Sequence, residues 1–121
     1  MQTIPIFNIT SLNHHPNSID AGLEIDQLNE IFDGHFPDQP VVPGACMLQI
    51  IKDVLANTLK VTLRLAKADN IKFLSLVTPS AKRLQLQINY QSAESGIKVN
   101  ASISFGDLVC MKLQATFAEV L

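Results

Sequence analysis

The residues with chemical potential cluster in "GHFPDQPVVPG", Gly34 to Gly44. His35 opens the cluster, and three of the chain's six prolines, Pro37, Pro40 and Pro43, follow it within eight positions. An imidazole titrates near neutrality and can take and return a proton. Proline fixes φ, so the three prolines stiffen the loop and hold His35 in place. Pro43 and Gly44 stand where an apolar helix begins. A backbone N–H at such a start points outward, and the helix dipole adds to it, so Gly44 can polarise a carbonyl oxygen. Glycine at this point also permits close approach of a ligand. Beyond it, Gln49, Lys52, Asp53 and Lys60 form one narrow polar stripe on the helix.

The other reactive side chains read as structural. His14 and His15 lie side by side before Pro16, in a turn exposed to solvent, and no ligand set for a metal accompanies them. Cys46 and Cys110 both sit in apolar surroundings and read as free buried thiols in a reducing compartment. Asp33 and Asp38 flank the loop and read as facing solvent.

The elements that must position His35 follow from periodicity. "TIPIFNITSL" and "SIDAGLEID" read as two strands, with Pro5 marking the first as an edge and "NHHPN" as the turn between them. From Gly44, the residues Met47, Leu48, Ile50, Ile51, Val54, Leu55 and Leu59 recur at helical spacing over about four turns. That helix is apolar over most of its circumference, which predicts that other structure wraps it. "RLAKADNIKFLSLV", "KRLQLQINYQSA", "GIKVNASISF" and "LVCMKLQATFAEV" read as four more strands in meander-like hairpins. The prediction is one α+β domain over residues 1–121, with about six antiparallel strands curved around one long central helix. One small sheet cannot cover every side of such a helix. A homodimer or higher oligomer is therefore expected, with edge strands paired or helices brought together.

Bulk properties narrow the function. At 47% hydrophobic and 121 residues, the chain can build its own core. A net charge of −2 with no basic run argues against nucleic acid as a partner. No window holds the ~18 apolar residues of a spanning helix, and the first residues lack a basic, apolar leader pattern, so the expected compartment is the cytoplasm.

The loop and the element order together resemble the bacterial 3-hydroxyacyl-[acyl-carrier-protein] dehydratases, which have the hotdog fold. Gly34, His35, Phe36, Pro37, Pro40, Pro43 and Gly44 match the family's G-H-F-P-x-x-P-x-x-P-G loop, and Asn29, Glu30 and Phe32 precede it. The resemblance implies that His35 removes the α-proton of a 3-hydroxyacyl thioester to give the trans-2-enoyl product. It implies that the Gly44 N–H polarises the thioester carbonyl. Phe36 reads as a lid packed on the core, and Phe36, Pro43 and Asp53 are the candidate substrate-binding residues. The peptide between that histidine and the next phenylalanine is often cis in the family. The family also places Glu or Asp on the helix fourteen positions after the histidine, acting from the other subunit, and here that position holds Gln49. An amide can orient a hydroxyl or a water but cannot deliver a proton as an acid. Asp53, one turn further on, is the nearest substitute on the same stripe.

Three functions follow: a dehydratase-like enzyme on acyl-carrier-protein or CoA thioesters, with His35 as the main proton shuttle or a second hotdog subunit supplying the acid; an acyl thioesterase, with Gln49 positioning water; or a non-catalytic acyl-binding subunit. None implies a metal or an organic cofactor, because elimination beside a thioester needs proton transfers and carbonyl polarisation.

Overall fold

The computed structural model describes residues 6–29 and 41–120. The elements run β1 (Phe7–His15), β2 (Ser18–Ile25), α1 (Gly44–Leu59), β3 (Leu63–Phe73), a short 3-10 turn (Pro79–Ala81), β4 (Arg83–Ala93), β5 (Gly96–Phe105) and β6 (Leu108–Glu119). All six strands join one sheet in the order β1-β2-β4-β5-β6-β3, and every pairing is antiparallel. Two strands, one long helix and four strands are the expected sequence of elements.

Alternation sets the two faces of the sheet. Leu84, Leu86 and Ile88 in β4 and Val99, Ala101 and Ile103 in β5 are buried, with Leu113 and Phe117 of β6 beside them. Five residues of α1, Met47, Ile50, Ile51, Val54 and Leu55, close the core against that face. The outer face is polar. Asp20, Gln87, Ser102, Lys112 and Lys72 lie in one cross-strand row, and Ser18, Asn89, Asn100, Gln114 and Asn70 in the next.

Several expectations are corrected. β1 extends through His14 and His15, and the turn narrows to Pro16 and Asn17. The two histidines stay extended because they pair with Ile19 and Ser18 and their rings find partners, His14 Nε2 with the Tyr90 hydroxyl at 2.6 Å and His15 Nε2 with Asp20 Oδ2 at 3.5 Å. β3 ends at Phe73 rather than Val77. The meander covers only β4 to β6, because α1 carries the chain across the sheet and β3 pairs with β6 at the far edge. Within one chain, the sheet covers one side of α1. Ala45, Gln49 and Asn57 remain exposed on the other.

No helix among the described residues is long and apolar enough to cross a membrane.

Candidate active site

The helix start is fixed from both sides. Val42 is buried, and its N–H donates to the Val77 carbonyl at 2.7 Å, tying the segment before α1 to the segment after β3. Pro43 holds the N-cap position with φ −63° and ψ 143°, extended backbone that proline adopts without strain. Its carbonyl accepts from the N–H groups of Cys46 and Met47 at 3.0 and 3.3 Å. No side chain caps the helix, and its first turn contains no acid. The first N–H groups of a helix have no acceptor within it. Gly44, the first helical residue, therefore presents its N–H at the positive end of a 16-residue helix.

The space that a glycine leaves at this position is occupied. A Cβ on Gly44 would stand 2.6 Å from Cζ and 2.9 Å from Cε1 of Phe73. The close approach allowed by Gly44 is thus made by the rim of a phenyl ring at the end of β3. Phe73 as a whole remains 56% exposed. Sequence reasoning missed Phe73. Its only signal was the end of an alternating strand, and nothing local connects position 73 with position 44.

Gln49 and Asp53 lie on the exposed side of α1, as the polar stripe predicts. Gln49 Nε2 donates to Asp53 Oδ1 at 2.8 Å. Gln49 is five residues from Gly44, about 7.5 Å along the axis and on a different side of the helix. The two therefore do not converge on one point within a single chain. Gln49 instead faces outward.

His35 and Phe36, with Glu30, Phe32, Asp33, Pro37, Asp38 and Pro40, lie outside the described residues, as does the peptide between His35 and Phe36. The stretch before them is anchored: Asn29 is buried and its N–H donates to the Asp26 carbonyl at 3.2 Å. Near the helix start, Cys46 is partly buried, and burial pushes its thiol pKa up. Cys110 is a buried free thiol. Among the described residues, no three of the His, Cys, Asp and Glu side chains converge as a metal site would require.

Residues 11–111 match the family model of the ApeI-like proteins, described as ApeI dehydratase. This chain belongs to the ApeI-like dehydratase family. Solved structures agree on the architecture. The ApeI:P dehydratase heterocomplex of Xenorhabdus doucetiae contains a chain that superposes with a TM-score of 0.76 at 18% identity, covering 93% of this chain and 97% of that one. An uncharacterized protein from Erwinia carotovora subsp. atroseptica gives 0.73 at 19% identity, with 98% of each chain covered. A thioesterase candidate from Lactococcus lactis, yhdA, gives 0.71 at 12% identity, with 99% and 98% covered. At these identities the likeness establishes the fold, which is the hotdog fold. The ApeI-like match spans the loop from Gly34 to Gly44 and all of α1, the region that carries the resemblance seen in the sequence.

Proposed function

We propose that this chain dehydrates 3-hydroxyacyl thioesters carried on acyl carrier protein or CoA to trans-2-enoyl thioesters. The observation that carries the reading is the uncapped start of α1 at Gly44, directly after a G-H-F-P loop, within a chain of the ApeI-like dehydratase family. In the proposed reaction the thioester oxygen accepts from the Gly44 N–H, which stabilises the enolate as it forms. His35 takes the α-proton, the electron pair of that C–H bond becomes the new C=C bond, and the C3–O bond breaks. The departing oxygen needs a proton to leave as water. Gln49 can orient it but has no acidic proton to give. His35 therefore returns the proton it removed, or a second subunit supplies one. No redox change occurs, and the products are the enoyl thioester and water.

A second hotdog subunit completes this site in our reading. Two surfaces favour it. Gln49 and Asp53 are presented on the side of α1 away from its own sheet. Ile71 and Phe73, on the inner side of β3 opposite Leu113 and Met111, remain 36% and 56% exposed at the sheet edge, whereas their β6 partners are buried. An inner-face edge left open in one chain is suited to coverage by a neighbouring strand. That neighbour is a second copy or a distinct hotdog chain, and heterocomplex formation by the Xenorhabdus ApeI:P proteins accords with the latter.

Incubation with crotonyl and 3-hydroxybutyryl thioesters tests the reading, with enoyl absorbance and free thiol followed together. Interconversion without thiol release is expected, and His35→Ala should abolish it. Thiol release would instead support a thioesterase using a water held by Gln49. Binding with neither would leave an acyl-binding subunit.

A further inference from the structure

We propose that Phe73 determines which acyl groups reach the Gly44 amide, by forming the wall against which the first acyl carbons beyond the thioester lie. The inference rests on the proposed function only in taking an acyl thioester as the ligand.

Phe73 is held by its backbone. It is the last residue of β3 and pairs with Met111 of β6, and the N–H of Leu74 donates to the Cys110 carbonyl at 2.8 Å. The bond from Val42 N–H to the Val77 carbonyl then fixes the helix start relative to the same segment. With both backbones tied, the ring is the part of this contact that is free to move. Its rim fills the volume where any other residue at position 44 would place a Cβ. Its inner-face register, shared with Ile71, directs it to the helix side of the sheet. The exposed part of Phe73 is apolar surface that a ligand gains by covering. An acyl chain delivered to the Gly44 N–H would cover the part of the ring nearest the helix start, leaving the strand edge to the neighbouring subunit. A short chain can lie along the ring, whereas a longer or branched one has to displace it.

Removing the ring should therefore widen selectivity. For Phe73→Ala, the ratio of kcat/KM for ten-carbon over four-carbon 3-hydroxyacyl thioesters should rise about tenfold, the scale on which apolar pockets discriminate. Phe73→Leu should fall between, and Phe73→Trp should lower the ratio. The same chain-length series should be measured for equilibrium binding of saturated acyl-pantetheine amides, which lack the 3-hydroxyl and so cannot be dehydrated. Circular dichroism and melting profiles identify variants that are folded. A ratio within twofold of the native value in both assays, for folded Phe73→Ala and Phe73→Leu, overturns the proposal and leaves the dehydratase reading intact if the native chain turns over. Shifted binding preferences without turnover sustain Phe73 and overturn the dehydratase reading. A native chain that neither binds nor turns over any of these compounds overturns both.

Discussion

Gln49 and Asp53 are joined across one turn of α1, the amide nitrogen of one donating to the carboxylate of the other at 2.8 Å. The carboxylate on this face is thus tied to the residue at the position where the 3-hydroxyacyl-[acyl-carrier-protein] dehydratases that the loop resembles carry an acid. Gln49→Glu would put two carboxylates at i and i+4, a repulsion of about 0.2–0.5 kcal/mol on a helix surface. It would also restore a proton donor. The expected outcome is a rise in dehydration rate of about tenfold or more, with a melting temperature lowered by no more than a few degrees. Initial rates on 3-hydroxybutyryl thioester measure it, and an unchanged rate would mean that a missing acid does not limit turnover.

Gly44→Ala presents a different balance. The new methyl would collide with the Phe73 rim, but that rim belongs to a half-exposed side chain that can swing outward. Alanine also favours a helix over glycine by up to ~1 kcal/mol. Unfolding in urea should therefore shift by no more than about 1 kcal/mol, while activity falls at least tenfold because the ring and the new methyl crowd the donor. Combining it with Phe73→Ala should recover part of the loss, a coupling that a double-mutant cycle reads directly.

Gly96 permits no such escape. Its φ of +132° lies where side chains are disfavoured, and a Cβ there would meet the backbone carbonyl of Phe117, which cannot swing away. Gly96→Ala should destabilise the protein by about 2 kcal/mol or more by urea unfolding. Gly106→Ala, at a hairpin tip with nothing near its missing Cβ, should cost only the ~1 kcal/mol of its positive φ.

Cys46 offers a test by pH. Burial raises its thiol pKa, so less thiolate is present at any given pH near neutrality than for a free cysteine. Iodoacetamide should label native Cys46 more slowly than the unfolded chain at pH 7.5, and the ratio of the two rates should narrow as the pH is raised through the elevated pKa. Mass spectrometry of tryptic peptides distinguishes Cys46 from Cys110.

Much of this arrangement was legible in the sequence because its periods are unambiguous. Leu84, Leu86 and Ile88 alternate with Gln85, Gln87 and Asn89, and the structure buries the first set. Pro43 and Gly44 mark the helix start to the residue. Strand ends were less readable. The first strand continues through His14 and His15 because Tyr90 and Asp20 receive their rings, and those partners are distant or across a turn. The order of strands was not legible either, since nothing in β3 itself states that it pairs with β6 rather than β4. Phe73 illustrates the same limit at the site. Its importance comes from a contact with a residue 29 positions away in the chain, and the glycine that accommodates it reads equally well as a helix-start glycine.

The rows on the outer face also restrict how the molecule can grow. Lys72 and Lys112 stand directly opposite each other in adjoining strands, both exposed. Stacking another sheet on that face would take two neighbouring ammonium groups out of water, at several kcal/mol each, with their mutual repulsion added. Layering is therefore disfavoured, and association is directed to the strand edges and the open side of the helix. Those are the surfaces where Gln49, Phe73 and the helix start lie, so the same two lysines that keep the back of the sheet in water leave the front to the proposed second subunit.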